Sequence, residues 1–216
     1  MSDITYSWDE YIRLNEKLVY NVAKSGWQFD CLLCLSRGGM RPGDFFSRVF
    51  SKPLAILATS SYREAKGTVQ STLDIAECMT GLATLKGKVL LVDDMVDSGK
   101  TIKEVIEHLK KRYPEITEIR VAVLWWKAHS ILKPDWHVDY LEDNPWIHQP
   151  FECYDDLGPE KLIERVEAQE AQKPDLADPG LTKKNGEEWN FRFAVFLFRH
   201  PAASFDSIIH TIMIVC

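Results

Sequence analysis

A short acidic segment near the middle of the chain combines residue types that bind phosphates, sugars and metal ions. Residues 89–92 are continuously apolar, which is typical of a strand buried on both faces. The carboxylates Asp93 and Asp94 follow directly, and Asp97 lies three residues further on. Residues 98–101 then read Ser-Gly-Lys-Thr, and the apolar residues after them recur at helical spacing. The segment therefore places carboxylates and hydroxyls between a strand and a helix N-terminus.

These residue types suit a ligand that carries both a phosphate and sugar hydroxyls. Backbone N–H groups at a helix N-terminus bind anions. Ser98 and Thr101 add hydroxyl donors, and Gly99 allows the backbone to approach a ligand closely. Asp93 and Asp94 offer carboxylate oxygens to sugar hydroxyls or to a magnesium ion. An acidic turn with a purely structural role is the weaker interpretation, because adjacent carboxylates after a buried strand are costly without a partner.

A loop that binds nucleoside triphosphates is the main alternative for this segment. Residues 99–101 match the end of the Walker A motif, which also requires an earlier glycine that would fall at position 94. Position 94 is aspartate. The segment is therefore not a Walker A loop.

Apolar runs and helical periods alternate along most of the chain. Ser7 and Glu10 form a capping box before a first amphipathic helix, which Gly26 ends. Strands are predicted at 31–35, 53–59, 89–92, 119–125, 136–140 and 146–148, and further helices at 42–50, 102–113 and 157–172. Residues 60–87 have no strong period and are predicted to form a long loop, with or without a hairpin. Alternation with continuously apolar strands predicts an α/β fold with a mainly parallel twisted sheet flanked by helices.

The topology of such a sheet predicts which segments meet. In open α/β sheets, ligands bind outside the carboxyl ends of the strands. Residues 36–39, residues 60–62, residues 93–101 and Lys127 all follow predicted strands. We therefore expect them to surround one crevice.

Charge and hydropathy exclude several classes of protein. The 216 residues carry a formal net charge of −6, which argues against a surface that binds nucleic acid. The first residues lack the basic and apolar regions of a secretory signal. No stretch reaches the roughly 18 uninterrupted apolar residues of a membrane span. We therefore expect a cytoplasmic protein with no nucleic-acid partner and no membrane association.

Five cysteines do not indicate a disulfide framework in a chain that shows no secretory signal. Cys31 and Cys34 form a C-x-x-C pair inside a predicted buried strand. Residues three apart in a strand point to opposite faces, and no second C-x-x-C or histidine pair completes a zinc site. The pair is predicted to be structural.

The segment 89–101 resembles the signature with which type I phosphoribosyltransferases bind phosphoribosyl diphosphate (PRPP). The match spans 13 positions, and the apolar, acidic and Ser/Gly/Thr classes all agree. Other segments resemble the xanthine-guanine and hypoxanthine-guanine enzymes of that family. Residues 36–43 are similar to their diphosphate loop, 60–62 to the start of their mobile loop and 144–150 to their base-clamping segment. Lys127 is similar to their purine-contacting lysine.

This resemblance implies a fold, a domain division and a set of ligands. The fold is that of type I phosphoribosyltransferases, with a small hood region and a C-terminal extension. Residues 1–156 would form the phosphoribosyltransferase domain with its purine-binding segment, and residues 157–216 a C-terminal helix and an extension of unknown role. The implied ligands are PRPP, a purine base and Mg²⁺ as cofactor. The implied assembly is a homodimer or homotetramer.

The resemblance also assigns roles to individual residues. Asp97 would be the general base near N7 of the purine, and Lys127 would donate to the 6-oxo group. The ring of Trp146 would stack on the base, and the backbone carbonyls of Trp146 and Ile147 would accept its N–H groups. Asp93 and Asp94 would contact magnesium and the ribose. The residues expected to bind PRPP are Asp93, Asp94, Val96, Asp97, Ser98, Gly99, Lys100 and Thr101, with Ser36, Arg37 and Gly38 binding the diphosphate.

Other residues receive weaker assignments or none. A cis peptide bond is expected before Arg37. Arg63 is a poorly supported candidate for a second diphosphate arginine, because the segment after Tyr62 departs from the family pattern. His148 has no assigned role, although it could modulate the choice of base. The remaining histidines, such as His108, are expected to be surface or packing residues.

The predicted function is purine salvage, in which the 5-phosphoribosyl group of PRPP passes to hypoxanthine, guanine or xanthine. The products are the nucleoside monophosphate and diphosphate. Lys127 favours a 6-oxo acceptor, because an ammonium group donates a hydrogen bond but cannot accept one from the amino group of adenine. Two alternatives stay open, namely a phosphoribosyltransferase for a different base and a non-catalytic regulatory protein that binds PRPP.

Overall fold

Helices and strands alternate along the chain largely as the sequence predicts. The computed structural model describes residues 3–61 and 73–172. Predictions for Tyr62, Arg63 and the C-terminal extension after Gln172 lie outside the described residues. In chain order the elements are β1 (Ile4–Thr5), α1 (Trp8–Lys24), β2 (Cys31–Ser36), α2 (Met40–Phe50), β3 (Leu54–Ser61), β4 (Leu73–Ile75), β5 (Gly87–Val92), β6 (Met95–Val96), α3 (Lys100–Arg112), β7 (Ile116–Ala122), β8 (Trp125–Lys127), β9 (Asp139–Leu141), β10 (Ile147–His148), a 3₁₀ turn (Glu152–Tyr154) and α4 (Pro159–Gln172).

The start of α1 shows the capping box that the sequence predicts. The Oγ of Ser7 accepts a hydrogen bond from the backbone N–H of Glu10 at 3.3 Å, and the Glu10 carboxylate accepts one from the Ser7 N–H at 2.8 Å. Helix α2 begins at Met40, slightly earlier than expected, with Pro42 in its first turn. A proline is tolerated there because the first-turn N–H groups have no partner within the helix.

The main sheet has five strands in the order β4-β3-β2-β5-β7. Strands β3, β2, β5 and β7 are parallel to one another, and the edge strand β4 is antiparallel to β3. This arrangement confirms the α/β class and the mainly parallel sheet. The remaining described strands form two smaller sheets, β6-β8-β9 and β1-β10.

Side chains of the central strand β2 alternate between two apolar cores. Cys34 packs in the core that includes residues of α1 and α2, whereas Cys31 packs in the core that includes residues of α3. The two cysteines therefore point to opposite faces, as expected for residues three apart in a strand. Burial is the main cause that raises the pKa of the Cys34 thiol to about 12.

The apolar run predicted as a single strand at 119–125 is divided between two sheets. Strand β7 ends at Ala122, and β8 begins at Trp125 in the small sheet beside β6. The backbone N–H groups of Leu124 and Trp125 both donate to the Asp94 carbonyl oxygen, at 2.9 and 3.1 Å. The chain changes sheets at this point, although residues 121–125 stay buried throughout.

The chain divides into two units, Met1–Leu162 and Ile163–Cys216. The described part of the second unit is the later portion of α4, up to Gln172. The predicted boundary between residues 156 and 157 stays a prediction. Among the described residues, no helix is both long and apolar enough to cross a membrane.

Candidate active site

The candidate site lies at the carboxyl ends of β2, β5 and β8, where the loops after these strands meet. The loop after β2 approaches the loop after β5 closely, and glycines make this possible. A Cβ atom at Gly38 would lie 2.5 Å from an oxygen of the Asp94 carboxylate. A Cβ atom at Gly39 would lie 2.9 Å from the backbone nitrogen of Leu35 and would press on the Val92 carbonyl oxygen. Larger residues would therefore separate the two loops.

The peptide bond between Ser36 and Arg37 is cis, as the resemblance implies. The Arg37 side chain is 87% exposed, and its guanidinium nitrogen lies 3.8 Å from an Asp155 carboxylate oxygen. An exposed ion pair of this length contributes little free energy. The Arg37 guanidinium is therefore free to turn toward an anionic ligand at little cost.

Asp93 and Asp94 directly follow strand β5 and are partly buried. Burial raises the pKa of both carboxyl groups, and repulsion from the Asp94 carboxylate raises that of Asp93 further. The Asp94 carboxylate accepts a hydrogen bond from the Gln149 side-chain nitrogen at 2.6 Å. No lysine or arginine of the described ranges, 3–61 and 73–172, forms an ion pair with either carboxylate. The pair therefore favours a cationic ligand.

The loop after β6 leads directly into the N-terminus of α3. Gly99 caps this helix without a side-chain hydrogen bond, in the left-handed conformation with φ +78°. A Cβ atom there would lie 2.5 Å from the Ser130 Oγ, so both the φ angle and the packing favour glycine. The Ile131 N–H donates to the Ser98 carbonyl oxygen at 3.0 Å and anchors the neighbouring turn. The loop thus presents the start of a helix whose amides can bind a phosphate.

Asp97 and Lys127 lie beside each other because β6 and β8 are paired in parallel. The register joins Met95 to Trp125 and Val96 to Trp126, so the next residues on each strand are adjacent. The Lys127 ammonium nitrogen lies 3.4 Å from the Asp97 Oδ1, and its side chain is 7% exposed. The site therefore holds a buried cationic donor next to a carboxylate acceptor.

His129 makes a second contact with the same carboxylate. Its Nε2 lies 3.0 Å from the Asp97 Oδ1. The sequence interpretation missed this residue, since it treated the unassigned histidines as surface or packing residues. His129 lies in the turn that follows β8, so no periodic pattern in the sequence indicates its contact with Asp97.

The segment 144–150, which the resemblance predicts to clamp the base, contains β10, and β10 pairs with the N-terminal strand β1. The Trp146 side chain is exposed, whereas Ile147 is buried. The Trp146 carbonyl oxygen accepts a hydrogen bond from the Ile4 N–H at 2.9 Å. One lone pair of that carbonyl is therefore already used, and sequence reasoning did not anticipate this pairing.

A cleft of about 730 Å³ lies beside this segment and is lined in part by Trp146, His148 and Gln149. The His148 imidazole contacts the carboxylates of Asp3 and Glu152, at 3.3 and 3.4 Å. Among the described residues, the ion pairs of Asp97 and Lys127 involve each other and His129, and the ring of Trp146 lies beside that of His148. The segment 144–150 is instead connected to the acidic pair by the hydrogen bond from Gln149 to Asp94. Nothing in the sequence indicates this hydrogen bond.

Comparison with known proteins identifies the class. The model of the phosphoribosyl transferase domain family matches residues 3–156, and the chain belongs to this family. A xanthine-guanine phosphoribosyltransferase from Idiomarina loihiensis is 28% identical over 152 residues, which are 68% of this chain and 86% of that protein. The resemblance noted at residues 89–101 is thus confirmed at the level of the family.

Solved structures with the same fold include two purine enzymes. The purine phosphoribosyltransferase from Pyrococcus horikoshii is 28% identical with a TM-score of 0.58, and the match covers 70% of this chain and 95% of that one. The Helicobacter pylori xanthine-guanine-hypoxanthine phosphoribosyltransferase is 26% identical with a TM-score of 0.59, covering 77% and 99%. The α/β phosphoribosyltransferase fold expected from the sequence is confirmed.

Proposed function

We propose that the protein transfers the 5-phosphoribosyl group of PRPP to a 6-oxopurine and releases diphosphate. The observation that carries this proposal is the Lys127 ammonium 3.4 Å from the Asp97 carboxylate. A 6-oxopurine presents its O6 acceptor and N7 on one edge. The lysine donates to O6 while the carboxylate accepts the proton of N7. Adenine would instead direct an amino group at the ammonium, and two donors cannot pair.

The PRPP side of the proposed site uses three features of the loops. The N-terminus of α3, with Ser98 and Thr101, binds the 5-phosphate through backbone amides and hydroxyls. The loop of Ser36, Arg37 and Gly38 binds the diphosphate, because an arginine guanidinium pairs well with phosphate oxygens. Val96, Gly99 and Lys100 belong to the segment from β6 to the start of α3, and they contribute to PRPP binding through their backbone.

The acidic pair fits a magnesium ion. Mg²⁺ prefers oxygen ligands and is held by one or two carboxylates together with substrate phosphates. Asp93 and Asp94 supply two neighbouring carboxylates whose pKa values are raised by burial, so a nearby cation would favour their charged forms. Within the described residues, no group of three or more histidine, cysteine or acidic side chains could hold a metal alone. When bound, the ion would supply charge neutralisation to the leaving diphosphate.

The reaction then depends mainly on orientation and proton removal. Lys127 fixes the base through O6, and the exposed Trp146 ring offers a stacking surface for it. As the new bond from the purine nitrogen to the ribose C1′ forms, the bond from C1′ to the diphosphate breaks. Asp97 accepts the N7 proton, which keeps the purine product neutral at that edge.

An initial-rate assay with PRPP and magnesium tests the proposal against hypoxanthine, guanine, xanthine, adenine and orotate in parallel. We expect turnover of at least one 6-oxopurine and none of orotate. In Asp97→Asn, turnover should fall by about 10²–10⁴-fold, the range for loss of a general base. PRPP affinity measured by calorimetry should stay close to that of the wild type.

Other outcomes would change the assignment. Equal loss of turnover and PRPP affinity in Asp97→Asn would make Asp97 a ribose or magnesium ligand. PRPP binding without turnover of any base would favour a regulatory protein. The homodimer or homotetramer implied by the resemblance stays a prediction, which light scattering after size-exclusion chromatography measures.

A further inference from the structure

The turn that follows β8 brings His129 onto the carboxylate of Asp97. The His129 Nε2 and the Lys127 Nζ lie 3.0 and 3.4 Å from the same atom, Asp97 Oδ1. We propose that His129 is a positioning residue, which holds the Asp97 carboxylate in the orientation that accepts the purine proton. This assignment rests on the proposed transfer to a 6-oxopurine.

Backbone hydrogen bonds fix the turn that carries His129. The Ala128 N–H donates to the Leu141 carbonyl oxygen at 2.9 Å, and the Ser130 N–H to the Lys127 carbonyl oxygen at 3.1 Å. The Ile131 N–H donates to the Ser98 carbonyl oxygen at 3.0 Å, next to Asp97 itself. His129 is thus held between the strand that carries the lysine and the loop that carries the carboxylate.

The need for such a residue follows from the exposure of Asp97. The Asp97 side chain is 42% exposed, and it lies on a loop rather than inside a strand. Without a second contact, its carboxylate depends for its orientation on Lys127, whose ammonium must turn to O6 when the purine binds. The Nε2–H of an imidazole donates in both the matching neutral tautomer and the cation. The approach of His129 to Oδ1 does not depend on the lysine, so it can remain when the lysine donates to the base.

Because His129 stays at Oδ1 in the proposed complex, the other oxygen, Oδ2, is left for proton transfer. The proton leaves N7 and forms a bond to Oδ2 while the electron pair of the N7–H bond stays on the purine. The proton then passes from the exposed Asp97 carboxyl to solvent. His129 takes no part in this transfer and is not itself a catalytic residue.

A double-mutant cycle tests the proposal through turnover. His129→Ala should lower kcat by up to about 10²-fold with an unchanged KM for PRPP, because a misplacement of about 1 Å costs about that much. The same change in an Asp97→Asn background should cause no further loss, because the residue acts through the carboxylate. His129→Gln should restore most of kcat, since its amide nitrogen can donate to Oδ1. His108→Ala on α3 is the matched control and should keep full activity.

A readout that does not depend on turnover completes the test. Nitrogen-15 shifts of the His129 ring should show one dominant tautomer, with the proton on Nε2, in the wild type and a mixture in Asp97→Ala. Additive losses in the cycle, or identical ring shifts in both proteins, would overturn the positioning role alone. Absence of turnover with every 6-oxopurine would remove the proposed function as well, so the two failures are distinguishable.

Discussion

Replacing Gly39 by alanine tests whether the close approach of two loops supports the fold as well as the site. A Cβ atom at Gly39 would meet the backbone of β2 and β5, including the Leu35 nitrogen at 2.9 Å. Gly39 cannot easily retreat, because its N–H donates to the Leu35 carbonyl oxygen at 2.9 Å and its own carbonyl accepts from the Gly43 N–H at 2.8 Å. The strand backbone is equally fixed by pairing within the main sheet. The added methyl group therefore overpacks a rigid contact.

The expected cost follows from overpacking in well-packed regions, about 1–3 kcal/mol. For a chain of this size, each 1 kcal/mol lowers the melting temperature by about 2–4 °C. We therefore expect Gly39→Ala to lower Tm by about 2–12 °C. The matched control is Gly158→Ala, because a Cβ atom at Gly158 meets nothing within 4 Å. This control should change stability by only about 0.5 kcal/mol, as exposed substitutions usually do.

Thermal unfolding followed by circular dichroism compares the two variants, and calorimetry measures their PRPP affinity. Gly39→Ala should lose both stability and PRPP affinity, since the loop proposed to bind diphosphate must move away from β5. A melting temperature equal to that of Gly158→Ala would refute the overpacking argument. Normal stability with lost affinity would place the effect in ligand contact instead.

Three further predictions concern charge and burial. Lys127→Ala should weaken 6-oxopurine binding about 10-fold or more in calorimetry without changing PRPP affinity, because a hydrogen bond from a charged group is lost; unchanged purine affinity would contradict its role. Cys34, whose pKa is raised to about 12 by burial, should resist iodoacetamide at pH about 8 while the exposed Cys153 reacts, as peptide mass spectrometry would show; equal labelling would contradict this. Burial lowers the pKa of His137, so the unfolded state binds a proton at this histidine first as the pH falls. The free energy of unfolding should therefore decrease as the pH drops below about 6.5. Urea unfolding should show a smaller decrease in His137→Gln, and an identical decrease would refute the assignment.

The elements that the sequence predicts well are those with local causes. The capping box of Ser7 and Glu10 depends on residues three apart, and the strand at 89–92 on a continuous apolar run. The run at 119–125 was misjudged for a tertiary reason. Residues 121–125 are all buried, although the chain passes from the main sheet to the small sheet within them. The hydrophobic pattern therefore does not indicate where the chain changes sheets. The carbonyl of Asp94, distant in sequence, determines where this change occurs.

The candidate site likewise contains one part that local sequence predicts and another part that depends on tertiary contacts. The loop from Asp93 to Thr101 is continuous in sequence, and its residue types alone indicated a sugar and a phosphate. The contact between Asp97 and Lys127 instead depends on the register of β6 and β8, which short strands specify weakly. His129 and Gln149 reach their partners across 32 and 55 positions of the chain, so neither contact has a local pattern.

The structure also determines which substitutions can separate sugar binding from base binding. Asp94 touches both halves of the proposed site, since its carboxylate accepts from Gln149 of the segment proposed to clamp the base and lies against Gly38 of the loop proposed to bind diphosphate. Its backbone carbonyl additionally anchors the start of β8, two residues before Lys127. Any change at Asp94 that moves this backbone should therefore disturb PRPP and purine together, and such a loss would assign no role. Asp97 contacts Lys127 and His129 on the proposed base side, so under the proposed function substitutions at Asp97 should distinguish proton removal from sugar binding.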